Sequence, residues 1–222
     1  MLTQKIIELK GRLLEYAVLV EIMIGKSLEG LLEKNAALLQ EIIDRDEQKA
    51  NRYDSEIDEM CTTLIAQYEP VATDLRITLM VLKMNKDLER MADHVVNICE
   101  SSLFLIDRPP LHVDHLRDIT TMADTTTTML KDSINSFVHS DVLLANSVCE
   151  RDIVVDEIGD KILKELIGFM HGEKDGVKRS LHIMRIAHNL ERIADLSTNI
   201  CEEVVYIVEG KDIKHKKFHL QG

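Results

Sequence analysis

Among the acidic residues that stand four positions apart in the 222-residue chain, four pairs form two matched sets: Asp54 with Asp58, Glu89 with Asp93, Asp156 with Asp160, and Glu191 with Asp195. On an α-helix that spacing puts both carboxylates on one face, about 5–6 Å apart at Cβ. Like charges so placed cost a helix roughly 0.2–0.5 kcal/mol in water, and more when desolvated, so their repetition calls for counter-charge. Two kinds of chemistry answer it. A cation held by oxygen ligands is one, and the all-oxygen set favours hard or borderline ions such as iron, manganese, magnesium or calcium over thiol-seeking metals. An interhelical salt-bridge network is the other, since Arg90 and Arg192 directly follow the glutamates and Arg52, Arg76 and Arg185 lie on the same helices. Asn97 and Asn199 continue the stripes by four more residues, where an amide could orient a ligand or bind weakly through its oxygen.

The elements that must carry these acids are helices. No glycine occurs between Leu31 and Gly159, and the only prolines are Pro70, Pro109 and Pro110, too few breaks for the turns of a sheet protein. Apolar residues recur at three and four. Ile6, Leu9, Leu13, Ala17, Val20, Ile24, Leu28 and Leu31 trace one stripe; Ile77, Met80, Met84, Leu88, Met91, Val95 and Ile98 trace another. The breaks predict helices near 3–33, 36–67, 71–107, 112–138, 142–171 and 177–209, then a basic, solvated tail (Lys211, Lys214, His215, Lys216, Lys217, His219). The four threonines at 125–128 are poor helix formers, but Leu116, Ile119, Met122, Met129 and Leu130 hold the apolar period across them.

The chain also repeats itself. LERMADHVVNICE (Leu88 to Glu100) and LERIADLSTNICE (Leu190 to Glu202) agree at nine of thirteen positions with an offset of 102, and Asp54 and Asp58 recur at the same offset as Asp156 and Asp160. The fold class is therefore all-α, built from two antiparallel three-helix bundles, 1–108 and 111–210, followed by the tail 211–222. In an antiparallel hairpin about the Pro70–Asp74 turn, Asp54 would face Asp93 and Asp58 would face Glu89, to within about one helical turn. About the Gly172–Gly176 turn, Asp156 would likewise face Asp195, and Asp160 would face Glu191. Each repeat would thus gather four carboxylates.

Composition excludes several functions. A net charge of -12 leaves no basic surplus for phosphate backbones or anionic lipid. No window is apolar enough for a membrane helix, and Glu8 and Glu15 interrupt what a signal peptide would keep apolar, so a cytoplasmic protein is expected. Cys61, Cys99, Cys149 and Cys201 show no CxxC spacing and read as reduced, packed thiols. No Glu is followed three residues later by His, which removes the ferritin-like di-iron signature. Phosphate loops, HExxH and GxSxG are also missing. His94, His182 and His188 lie near the acid stripes, but lone histidines more often pack than ligate.

QYEPVATDLRITLMVLKMNKDLERMADHVVNICE in the first copy and LHIMRIAHNLERIADLSTNICEEVVYIVEG in the second resemble the PhoU family of phosphate-transport regulators. EIDEMCTTLIA and RDIVVDEIGDKI support the likeness, which covers about Leu39 to Gly210 and, weakly, the first helix. The resemblance implies multinuclear metal clusters held by Glu/Asp-x-x-x-Asp motifs. Iron is the first candidate there, with manganese, magnesium, zinc and calcium as the other divalent ions. By position the ligands carry to Asp54, Asp58, Glu89, Asp93, Asp156, Asp160, Glu191 and Asp195. It also implies a non-enzymatic, homodimeric negative regulator of phosphate uptake and phosphate-starvation signalling, coupling a phosphate ABC-transporter ATPase to a membrane sensor histidine kinase. A regulator of a different transporter and a carboxylate-metal enzyme are the alternatives. Two departures stand out. Ala92 and Ala194 replace a glycine usual in the family motif. Asp152 has no acidic counterpart at Ala50, which would make the two clusters differ in metal number or affinity.

Overall fold

The computed structural model describes residues 1–108, 113–169 and 174–210, and places them in six helices. Helix α1 is Leu2–Leu32. Helix α2 runs without a break through Ala36–Glu41, a π-helical turn at Ile42–Asp46, and Glu47–Tyr68. Helices α3 (Ala72–Ile106), α4 (Val113–His139), α5 (Val142–Phe169) and α6 (Lys174–Glu209) follow. The predicted boundaries hold to a few residues, but α6 begins before Gly176, so that glycine is helical rather than part of the turn. Pro109, Pro110 and the basic tail lie outside the described residues.

Both apolar stripes point inward. Leu9, Leu13, Val20, Met91, Val95 and Leu88 are fully buried, and a single apolar core extends through both repeats. Helices α1 and α4 pack against each other, as do α3 and α6, while α2 and α5 flank this inner four and do not meet among the described residues. The four cysteines are free and buried, as predicted. The threonine run is helical, with the apolar period held across it by buried Ile119, Met122, Met129 and Leu130, and its hydroxyls find carbonyl acceptors. Thr125, Thr127 and Thr128 each donate to the carbonyl four residues back at 2.7–2.8 Å, and buried Thr126 reaches the Leu190 carbonyl at 3.5 Å.

The hairpin between α1 and α2 closes tightly. Asn35 caps α2 by accepting from Leu38 N–H at 3.1 Å, and Leu39 packs directly over Gly30, where a Cβ would come within 2.6 Å. The π-helical turn, which periodicity did not predict, ends at Asp46. This carboxylate is buried, 3.0 Å from the Lys26 ammonium of α1 and bonded to Lys49.

Helices α3 and α6 run antiparallel and are cross-linked by an ion pair toward each end. Lys83 on α3 binds Glu203 on α6 at 2.9 Å; Arg185, 102 positions after Lys83, binds Glu100 at 3.1 Å. His94 meets Asn189 at 2.8 Å, and Phe104 stacks on His182 with centroids 3.8 Å apart. Ala92 and Ala194, both buried, fall midway between the two ion pairs along their helices. The repeats are therefore related by a local two-fold axis, and the acid pairs of both lie at its level.

Candidate functional site

The acids occupy the α2–α3 seam in the first repeat and the α5–α6 seam in the second. In the first, the register differs from the sequence expectation by about one turn. Asn85 of α3, fully buried, donates its amide to Asp54 Oδ1 at 2.9 Å and to Asp58 Oδ1 at 3.1 Å. Farther along the hairpin, Cys61 lies against the Thr78 carbonyl at 3.8 Å. The turn is centred on Glu69–Val71 rather than on residues 73 and 74, which brings Asn85 and Lys86 level with Asp54 and leaves Glu89 about one helical turn farther along α3. Burial, then the charges of Asp93 and Asp54, hold the Glu89 carboxyl above its ordinary range. Glu47, just past the π-helical turn, is raised by burial and by Asp93. Asp54, Glu89 and Asp93 thus share one field, with Asp58 at its edge.

That edge carries its own cation. Lys86 Nζ lies 3.0 and 3.1 Å from the two oxygens of Asp54 and 3.0 Å from Asp58 Oδ2. Sequence reading missed both Asn85 and Lys86. The signal was available, since they precede Glu89 by one turn and face the same helix.

The second repeat has different chemistry at the same places. The positions 102 after Asn85 and Lys86 are Ala187 and His188. Among the described residues no lysine bridges the acids here. Lys164 approaches the exposed Asp160 at 3.7 Å and Arg192 binds Asp195 at 3.1 Å. Asp152 joins the set from one turn before Asp156, continuing the 152, 156, 160 spacing. Burial, then Asp156, Asp195 and Glu191, push the Asp152 carboxyl up to about 7, and its Oδ1 is buried with no hydrogen-bond partner. Asp156 is raised by burial and by Glu191, Asp195 and Asp160. A groove of about 210 Å³ beside these acids is lined by Gly159, Asp160, Met184, Ala187, His188 and Glu191.

The remaining predicted residues divide. Asn97 is committed to the repeat interface, donating to the Asp93 carbonyl at 3.0 Å and accepting from Arg185 at 2.6 Å. Arg192 touches Asp195, Arg90 points instead toward Asp87 at 3.9 Å, and Asn199 is exposed. His94 and His182 belong to the α3–α6 seam, whereas His188 lines the acid groove.

Among the described residues, no three His, Cys, Asp or Glu side chains converge closely enough to hold one ion in this conformation. The donor set nonetheless fits a hard cation. It is all oxygen, it carries more negative charge than its arginines and lysines offset in the second repeat, and it includes a buried carboxylate oxygen that nothing satisfies.

The molecule is a two-repeat, six-helix bundle with an acid set in an outer seam of each repeat. It belongs to the PhoU family: the PhoU domain model matches residues 13–102 and again 119–204. The phosphate-specific transport system accessory protein PhoU homolog of Aquifex aeolicus is 34% identical over 215 residues, covering 97% of this chain and 96% of that protein. Homolog 2 of Thermotoga maritima is 33% identical over 214 residues, covering 96% and 90%. The crystal structure of PhoU from Pseudomonas aeruginosa superimposes with a TM-score of 0.88 at 27% identity, covering 95% of this chain and all of that one. That of the phosphate transport system regulatory protein PhoU from Streptococcus pneumoniae gives 0.88 at 27%, covering 96% and 99%.

Proposed function

We propose that this protein is a cytoplasmic, non-enzymatic accessory of a phosphate transporter, and that it restrains phosphate uptake and phosphate-starvation gene expression. The observation that carries this reading is full-length similarity to proteins named as phosphate-specific transport accessories, with both repeats matched. No helix among the described residues is long and apolar enough to cross a membrane, in keeping with action through a transporter ATPase and a sensor kinase. Net charge of -12 favours basic faces on such partners and disfavours nucleic acid. Deleting the gene should raise phosphate uptake and starvation-gene expression in phosphate-replete cells; unchanged levels of both would overturn the proposal.

Its acid sets serve as cation sites. Asp152, Asp156, Glu191 and Asp195 would hold the ion of the second repeat, and Asp54, Glu89 and Asp93 that of the first, with Asp58 and Asp160 at their margins. A cation there would supply the missing counter-charge and tie α2 to α3 and α5 to α6. Elemental analysis of the wild type beside an Asp93→Asn, Asp195→Asn double variant tests this, with iron as the leading candidate. Equal metal content in the two would return the acids to salt bridging.

A further inference from the structure

Helix α1 covers the first repeat as α4 covers the second, but their outward faces differ. On α4 the exposed residues are Arg117, Thr121, Asp124, Thr128 and Lys131, the polar surface that a solvated helix ordinarily presents. On α1 they include Ile7, Val18 and Ile22, which are 56%, 52% and 48% exposed, with half-buried Leu14 on the same line. Gly11 and Gly25 continue that line, and nothing lies within 4 Å of the place a Cβ would take at either. A glycine inside a helix destabilises it relative to alanine, and packing within the chain requires neither of these. Open glycines among exposed aliphatic side chains suit a face to a second helix, because two axes can then approach closely.

The order of residues along this face says which helix that is. It is palindromic about Val18: Lys10 and Lys26, Gly11 and Gly25, Glu15 and Glu21, and the aliphatic Leu14 and Ile22 stand at equal distances from it. Two antiparallel α1 helices crossing at Val18 set glycine on glycine and Leu14 on Ile22, with Val18 meeting its own copy at the axis. That is the self-complementary pattern of a two-fold interface. The charges agree. At 3.6 residues per turn Lys10 and Glu21 fall on one margin of the face, and reversal puts Lys10 of one copy about 7.5 Å along the axis from Glu21 of the other, within reach of the two side chains. Lys10 rests over the Phe137 ring, and neither it nor Glu21 has an ion-pair partner among the described residues. Beyond the glycines the match ends, with Ile7 opposite Glu29, so the contact is centred on about 21 Å of helix.

We infer that the outward face of α1 joins two copies of this chain, as an antiparallel helix pair centred on Val18. The occupant is a second copy because only a partner carrying the same residues in reverse order matches both the glycines and the charges. An isologous contact is used up when two copies meet, and the polar face of α4 offers no second one, so assembly closes at two. The inference needs no cation and stands apart from the reading of the acid sets.

Sedimentation of the full chain and cross-linking test it together. The wild type should be a dimer at about 10 μM, and Val18→Glu, which sets two carboxylates against each other at the axis, should weaken association by more than ~100-fold. Val18 is half exposed, so this variant should keep the circular dichroism of the wild type. Val18→Cys gives a measurement that does not depend on disruption. Mild oxidation should join two copies through residue 18, whereas Thr121→Cys, on the outward face of α4, should remain a single chain; the four native cysteines are buried. A wild type that stays monomeric up to about 100 μM, a dimer that survives Val18→Glu, or equal cross-linking at positions 18 and 121 would overturn the inference.

Discussion

The ammonium of Lys86 bridges Asp54 at 3.0 Å and Asp58 at 3.0 Å, so the first acid set is partly neutralised by the chain itself. A bound cation must compete with that lysine. Replacing Lys86 with Met, which keeps the aliphatic stem, should strengthen first-repeat cation affinity by about three- to tenfold, the upper figure corresponding to ~1.4 kcal/mol. The half-exposed lysine is screened by water, which argues for the lower figure. Calorimetric titration of wild type and variant would show it; weaker or unchanged binding would mean the lysine does not compete.

The second repeat should load first. It lacks the bridging lysine and has Asp152, whose carboxyl is held up to about 7 by burial and by its neighbours. Asp152→Asn removes a ligand and also relieves repulsion in the unloaded protein. Cation affinity of the second repeat should drop by roughly 10- to 100-fold while the melting temperature of metal-free protein rises. A variant with reduced stability and unchanged affinity would assign Asp152 to packing.

The π-helical turn of α2 is secured by Asp46. Burial alone would raise this carboxyl, but the hydrogen bonds of Lys49 and Lys26 outweigh it and hold the group below its ordinary value of 3.8. With the folded value depressed, the native state binds fewer protons than the unfolded chain as pH falls. The contribution is therefore complete above about pH 4 and is lost as pH drops through the folded value. Asp46→Asn should cost about 1.5–3 kcal/mol at pH 7, from bonds to charged donors, and less as pH falls through the depressed folded value. Denaturant midpoints across this pH range measure the difference.

Gly30→Ala sets two effects against each other. Helix propensity favours alanine by about 1 kcal/mol, but its Cβ would sit 2.6 Å from Leu39 Cδ2 and 2.7 Å from Leu39 Cγ. Leu39 is fully buried and has little room to move, so the clash should win, with overpacking near 1–3 kcal/mol and a net loss of ~1 kcal/mol. Equal or greater stability in urea would show that the hairpin can open to admit a methyl.

Much of this was legible in the amino-acid order. The helices follow from the 3–4 apolar period and the shortage of breakers, and the repeat follows from an identity run that no chance spacing would give. The register of the first hairpin did not, because Pro70 marks a turn without stating which residue sits at its tip. Glu69 and Ala72 adopt positive φ (43° and 49°), conformations that neither residue type advertises. That one-turn shift is why Asp58 falls beside Asn85 rather than opposite Glu89. The π-helical turn was equally hidden, since one extra residue leaves the hydrophobic stripe nearly intact.

The local two-fold between the repeats, marked by Lys83–Glu203 and Arg185–Glu100, is the symmetry of a homodimer written into one polypeptide. In a true homodimer every substitution is made twice, so both halves must tolerate it. A tandem chain escapes that constraint. Alanine at 50 and aspartate at 152, lysine at 86 and histidine at 188, are changes that a duplicated gene can keep and an unfused ancestor cannot. Fusion turns two equal seams into two distinguishable ones on one body.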